Sequence, residues 1–309
     1  MAGAGIEVWR GGVNPWQCDQ MGHMNVRFYV AHAMEGLAGL AGAMGMAQAF
    51  SPRATSTLTV REHHIRFLKE ARAGAALHMT AGLLSLDEAE ASALQILRHS
   101  QTDEPSAVFH TRLTHARAGD GQGFAWPRAV REHAADLAVE VPPGLGPRSL
   151  ALGEPPGEAS LDRAEALGLI RYGAGAFMPQ DCDAFGRVSA AQIMGRMGDG
   201  AAQAIANTRQ AVGAIAPGGP PIGLAVVEYR LIYFDSPRAG DRFDVRSGLR
   251  VVEPRRLGWT HWMLDPETGR PWAIAIGVLV PFDLDARKTL TLPDAAQAIL
   301  KANVVNFEG

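Results

Sequence analysis

Cys18-Asp19-Gln20-Met21-Gly22-His23-Met24-Asn25 sets an acid, a turn glycine, an imidazole and an amide side by side, just ahead of a Gly/Ala/Met-rich helical run. A degraded copy, Cys182-Asp183-Ala184-Phe185-Gly186-Arg187-Val188-Ser189, lies 164 residues further on. Pro15 and Pro179 keep the same spacing, and Glu35-Gly36 falls on Asp199-Gly200. Beyond the helical run the spacing becomes 166. There Glu62 meets Glu228, Arg72-Ala73-Gly74 meets Arg238-Ala239-Gly240, Gly82 meets Gly248, Pro105 meets Pro271 and Pro127 meets Pro293. A two-residue indel between helix and sheet accounts for the change. Ordered matches at a near-constant spacing identify one unit written twice. The copies run from about Ile6 to Ala138 and from about Leu167 to Val305. Between them, Val141 to Ala166 is rich in Pro and Gly and reads as a connector, not a core element. The expected organisation is therefore a unit over 1–140, a connector over 141–166 and a second unit over 167–309.

Each copy opens with a short strand candidate and the Pro-x-x-Cys-Asp turn. A helix follows, expected over Val26 to Ala49 in the first copy and Ala190 to Val212 in the second. In the first, Phe28, Ala31, Met34, Leu37 and Ala38 recur near helical spacing. Each glycine costs a helix up to about 1 kcal/mol relative to alanine. Small residues there suit a helix that other backbone must approach closely. Strand patterns then succeed one another. In the first copy they fall at Ser56–Leu68, Leu77–Leu84, Ala91–Arg98 and Ala107–His115. In the second they fall at Leu224–Phe234, Phe243–Val251, Leu257–Leu264 and Trp272–Pro281. Asp265-Pro266-Glu267-Thr268-Gly269 marks a hairpin turn, with Gln101 to Glu104 in the same place of copy one. One helix followed by an antiparallel meander, twice over, is an α+β pattern.

A chain of 309 residues with 47% apolar and 20% charged residues has ample material for two cores. A net charge of -3 leaves no basic footprint for nucleic acid. The N-terminus has neither the basic nor the apolar region of a secretory signal, and the weakly polar run Leu37 to Phe50 is too short to span a bilayer. Two cysteines make no disulfide framework. A cytoplasmic enzyme is expected.

The helix-then-meander order with Asp-x-x-Gly-His-x-Asn at the helix entrance resembles the hotdog fold, in the 4-hydroxybenzoyl-CoA thioesterase-like branch of acyl-CoA thioesterases. Both copies share the resemblance almost throughout. The strand Arg61-Glu62-His63-His64-Ile65-Arg66-Phe67 and the Arg-Ala-Gly turn strengthen it. The resemblance implies two tandem hotdog units, each a long helix wrapped by a curved antiparallel sheet, packed as a pseudo-dimer within one chain. It also implies hydrolysis of an acyl-CoA, or an acyl-ACP, with no cofactor.

Thioester hydrolysis needs a nucleophile or a base that activates water, plus donors for the developing oxyanion. An aspartate just before a helix stands beside N–H groups that have no intrahelical partner. One oxyanion donor supplies roughly 3–4 kcal/mol, against a barrier reduction of at least about 8 kcal/mol, so positioning must supply much of the rest. By resemblance Asp19 is the catalytic carboxylate, Gly22 permits the turn, and His23 and Asn25 orient water, carboxylate or thioester. Backbone from Val26 to Tyr29 would polarise the carbonyl. Asp19 could instead be a plain helix-entry anchor, and His23 a structural histidine.

The second copy keeps Asp183 and Gly186 but has Arg187 for His23 and Ser189 for Asn25. Arginine stays protonated and cannot act as a base, so the second site is expected to be silent or altered. Arg187 could pair with Asp183 or hold a phosphate of coenzyme A. Glu35, whose counterpart is Asp199, is the reserve catalytic acid, since a related hotdog subgroup uses a helix glutamate. Arg66, Lys69 and Arg72 are candidates for the phosphates of coenzyme A. Cys18 and Cys182 read as small buried residues, because a neighbouring acid opposes thiolate formation. His63-His64 point to opposite faces of a strand and cannot chelate a metal together. A hotdog hydratase or dehydratase is the rival enzyme, though its Asn-Pro-x-His stretch is missing. A non-catalytic acyl-CoA-binding protein is the rival of another class. Open sheet edges lead us to expect a homodimer.

Overall fold

The computed structural model describes residues 5–153, 157–201, 206, 222–286 and 288–307. They divide into two compact units. The first joins Met1–Pro147 to Pro179–Gly195, and the second joins Arg148–Met178 to Arg196–Gly309. The first unit therefore carries both octads. None of the described helices is long and apolar enough to cross a membrane.

In the first unit, β1 (Ile6–Gly12) leads through a short 3-10 turn into α1 (Val26–Ala43). β2 (Ser56–Phe67), β3 (Ala76–Leu86), β4 (Glu90–His99) and β5 (Pro105–Arg117) complete an antiparallel sheet in the order β1-β3-β4-β5-β2. α2 (Arg128–Ala135) follows. α1 buries Val30, Ala33, Leu37, Leu40 and Ala41, and the last three share a core with Leu58, Leu83, Leu113 and Trp126. It is shorter than expected, stopping at Ala43 rather than Ala49. Gly45 takes φ +83°, and the amides of Gly45 and Met46 turn back to Gly42 O (3.0 Å) and Ala41 O (2.8 Å). That left-handed cap consumes the last carbonyls and ends the helix. At Gly39 a Cβ would lie inside 3.0 Å of the Val8 carbonyl oxygen, so β1 does approach α1 backbone to backbone.

In the second unit, α3 (Leu161–Ala166) precedes β6 (Ile170–Ala176). α4 (Ala190–Asp199), whose residues up to Gly195 belong to the first unit, opens the second helical run, and the expected continuation to Val212 falls largely outside the described residues. β7 (Ile222–Tyr233), β8 (Arg242–Glu253), β9 (Arg256–Leu264) and β10 (Pro271–Asp283) form the order β7-β10-β9-β8-β6, with β11 (Lys288–Thr289) on β10. α5 (Asp294–Lys301) packs Ala296 and Leu300 on Leu249, Leu257 and Trp259, together with Leu292 just ahead of it. The Pro/Gly-rich stretch does more than connect. Leu150, Ala159, Leu161 and Ala164 join Trp262, Ile274, Ile276 and Phe307 in a core of their own.

The ladders repeat residue for residue. Glu62 faces Arg112 as Glu228 faces Val278, and Gly82 faces Leu94 as Gly248 faces Thr260. The bulges repeat as well. β1, β2 and β3 slip register at Val8, Arg61 and Leu84, and β6, β7 and β8 slip at Tyr172, Val227 and Arg250. Bulges bend strands and redirect side chains, so shared bulges mean shared curvature. α2 and α5, which strand patterning did not reveal, start after the matched prolines Pro127 and Pro293.

Candidate functional site

The octad is a closed loop. The Asp19 amide donates to His23 O (2.8 Å), the Gly22 amide to Asp19 O (2.9 Å), and Gly22 takes φ +76°. Asp19 Oδ1 accepts from the amides of Met21 (2.8 Å) and His23 (3.2 Å). Asp19 is exposed, and its Oδ2 takes no partner among the described residues. The copy reproduces this loop. Asp183 Oδ1 accepts from Phe185 (2.8 Å) and Arg187 (3.0 Å), Gly186 takes φ +73°, and the Asp183 amide donates to Arg187 O (2.7 Å). Aspartate and glycine are thus what both turns require, whatever else they do.

Asn25 caps α1, accepting from the Arg27 amide at 3.0 Å. Ser189 does the same for α4, its Oγ accepting from the Gln192 amide at 3.3 Å. Both side chains are strong N-caps, each stabilising its helix by about 1 kcal/mol, so the Asn-to-Ser exchange between copies keeps the cap. The Phe28 amide turns to Asn25 O (2.9 Å), while the Val26 amide finds no acceptor among the described residues. Tyr29 is buried. Its phenol accepts from the Ala71 amide (3.3 Å) and lies 3.4 Å from Ser106 Oγ, and burial pushes its pKa up.

His23 and Arg187 are where the copies part. His23 Nε2 stands 2.9 Å from Arg72 Nη2 and 3.1 Å from Glu70 Oε2. Arg72 also reaches Glu70 at 3.4 Å, so these three form one partly exposed cluster. Glu70 escaped the sequence reading, although it stands between two residues already singled out. Arg187 is buried, donates to Ala118 O at 2.6 Å and lies over the Phe185 ring, 5.6 Å from its centroid. It packs against Gly121 as well, fastening the loop that leaves β5.

The other candidates spread out. Arg66 donates to Gly144 O and Gly146 O, both at 2.7 Å, and so clasps the stretch after α2. Lys69 pairs with Glu104. Glu35 is exposed, with Oε2 3.2 Å from His32 Nδ1. His32 in turn is buried against Trp9 (4.4 Å between ring centroids), with Gln17 Nε2 3.5 Å from its Nε2. The row Gln17–His32–Glu35 was not anticipated, and the only signal was the helical spacing of His32 and Glu35. Asp199 is exposed beside Arg196, at 4.0 Å. Cys18 and Cys182 are half-buried thiols that form no disulfide with each other. His63 faces the α1 side near Phe109, and His64 faces the opposite side near His110, with centroids 6.3 and 5.8 Å apart. Full burial drives the His63 pKa down to about 3.

A family model described as the thioesterase-like superfamily matches residues 13–134 and again residues 177–300. No curated protein matches the sequence. Among solved structures, similar ones include a protein assigned as an oleoyl thioesterase from Lactobacillus plantarum, with TM-score 0.66 and 11% identity over 95% of this chain and 99% of that one. The 12:0-ACP thioesterase from Umbellularia californica aligns with TM-score 0.63 and 10% identity, covering 88% of this chain and 93% of its own. An acyl-ACP thioesterase from Bacteroides thetaiotaomicron gives 0.61 and 9%, over 88% and 96%. At such identities the likeness speaks for the tandem hotdog fold.

Proposed function

Since this chain belongs to the thioesterase-like superfamily, we propose that it hydrolyses an acyl thioester, carried on coenzyme A or on acyl carrier protein, to a free acid and a thiol. Asp19 is the catalytic carboxylate in this reading. The observation that carries it is a carboxylate held by one oxygen and open at the other: two amides fix Oδ1, and Oδ2 faces no described partner. As a general base, Oδ2 takes a proton from water while the water oxygen attacks the thioester carbon. As a nucleophile, it forms an acyl anhydride that water then cleaves. In both routes the C–S bond breaks and the thiolate leaves. The Val26 amide is the candidate oxyanion donor, and His23, set between Arg72 and Glu70, orients water or the carbonyl. Asp183 has the same turn, but Arg187 beside it is spent on Ala118 O, so the second octad is structural.

The test is thiol release from a panel of acyl-CoAs and acyl-ACPs by wild type, Asp19→Asn and Asp183→Asn. Asparagine keeps an Oδ1 for the two amides, so the loop survives while the base is lost. Asp19→Asn should lose roughly a hundredfold or more in rate, and Asp183→Asn should lose little. Full activity in Asp19→Asn overturns the assignment. A cytoplasmic location belongs to the same reading, supported by two cysteines that stand as thiols rather than as a disulfide. So does a homodimer, which sedimentation or light scattering would settle.

A further inference from the structure

The 3-10 turn Pro15–Gln17 delivers the chain to Asp19, and Gln17 ties that turn to its surroundings with side chain and backbone together. Its carbonyl oxygen accepts from the amide of Asn25, the N-cap of α1, at 2.8 Å. Its Oε1 accepts from the Asn14 amide at 2.8 Å, which leaves Nε2 as the donor toward His32. That link, 3.5 Å to His32 Nε2, is the longest of the row. At the other ring nitrogen stands Glu35, 3.2 Å from Nδ1, and a carboxylate only accepts. The partners therefore fix the tautomer: Nδ1 carries the hydrogen and Nε2 the lone pair. The row runs one way, from the Asn14 amide through Gln17 and His32 to Glu35. Gln17 and His32 are buried, and the Trp9 ring covers the imidazole. Water does not replace a partner lost in such a place, so the contact holds turn and helix in register.

The second copy separates what the fold needs from what this row adds. At the matched positions, 164 residues later, stand Asp181, Arg196 and Asp199, and Gly173 replaces Trp9. The Asp181 carbonyl oxygen accepts from the Ser189 amide at 3.0 Å, as Gln17 O does from Asn25. The backbone tie thus belongs to both turns. The amide, the imidazole and the indole occur only in the copy whose octad keeps His23 and Asn25. Asp19 Oδ1 is held by amides of its own loop, so the aim of Oδ2 at the first amides of α1 is set by where the whole loop sits on the helix. A misplacement of about 1 Å costs on the order of a hundredfold in rate.

We propose that His32 is a positioning residue: through Gln17 it holds the Asp19 loop in register with the N-terminus of α1. The hold stands on these contacts, whereas its effect on turnover rests on Asp19 being the catalytic carboxylate.

The test compares His32→Asn with His32→Gln in the full chain. Asparagine keeps a donor near the place of Nδ1 but ends short of Gln17. Glutamine carries an oxygen to the place of Nε2 and so keeps the acceptor that Gln17 needs. Two quantities are read: amide hydrogen exchange at Met21, His23 and Asn25, and kcat and KM for thiol release from the acyl-CoA that wild type cleaves fastest. In His32→Asn those three amides should exchange roughly tenfold faster, while core amides of β4 and β5 keep their rates. Its kcat should fall roughly tenfold to a hundredfold, with KM within about twofold. His32→Gln should return exchange and kcat to within about threefold of wild type. Unchanged exchange in His32→Asn overturns the proposal, as does equal loosening of β4 and β5, which marks a general loss of stability. Equal impairment in both variants overturns it too, because the acceptor toward Gln17 would then not matter. Loosened amides with undiminished kcat, in a protein that Asp19→Asn inactivates, show that the hold does not serve turnover and overturn its role there. If Asp19→Asn is fully active, the catalytic reading falls, and the exchange rates still decide whether His32 holds the loop.

Discussion

Three glycines of α1 allow the packing argument to be tested by its sign. At Gly39, a Cβ would enter the Val8 carbonyl oxygen within 3.0 Å and the Val8 side chain at 3.0 Å. Backbone of a paired strand cannot step aside as a flexible side chain can. Gly39→Ala should therefore incur an overpacking cost of about 1–3 kcal/mol, offset by up to about 1 kcal/mol of improved helix propensity. At Gly42 a Cβ would meet nothing within 4 Å, and its φ is ordinary. Gly42→Ala should gain about 0.5–1 kcal/mol by propensity alone. Gly36 lies between these cases, because its obstacles are side chains, the Met79 sulfur first and then Gln95 and Val8, rather than backbone. The propensity gain is common to both, so the two outer variants should differ by the overpacking cost, roughly 1–3 kcal/mol, read as urea midpoints at constant m-value. If Gly39→Ala matches or exceeds wild type, close approach is not why α1 is rich in small residues.

Two further outcomes follow from the same contacts. Burial holds His63 down to about 3 and His261 down to about 4, so between pH 6.5 and those values only the unfolded chain takes up their protons. Stability should be level above pH 7 and fall below 6.5, by about 2 kcal/mol per histidine at pH 5. A urea midpoint series against pH checks this, and His63→Gln should remove about half of the fall, leaving the share of His261; an unchanged midpoint between pH 7 and 5 would refute it. Asn25→Ala should lose about 1 kcal/mol with its cap, while Asn25→Ser should keep both stability and thiol release. Turnover lost in a stable Asn25→Ser protein would show that the amide does more than cap.

The strands were legible because half-buried sheets impose a period of two, and the repeat allowed each copy to check the other. Matched prolines, glycines and the Arg-Ala-Gly turn marked backbone positions that tolerate little else, which is why they outlasted the divergence. The end of α1 was legible in principle, since Gly45 advertises a left-handed cap. The octad's loop was legible in outline, but its division of labour was not. That Asn25 and Ser189 do one job, and that Arg187 turns away to Ala118, depends on contacts distant in sequence. Arg66 shows the same limit: an arginine beside a basic turn suggests a phosphate ligand, whereas its guanidinium is occupied by two backbone carbonyls. The short helices α2 and α5 escaped because eight residues carry too few apolar positions to set a period.

The first compact unit includes Pro179–Gly195, so the boundary between the units does not follow the boundary between the copies. During synthesis the first sheet and α1 emerge early, yet their unit lacks its last piece until translation has passed Gly195. At about 5–20 residues per second, that delay amounts to seconds in which the octad's surroundings are incomplete. The same arrangement has a consequence for dissection: a cut between the copies would separate the first unit from Pro179–Gly195, so neither copy taken alone is a complete unit.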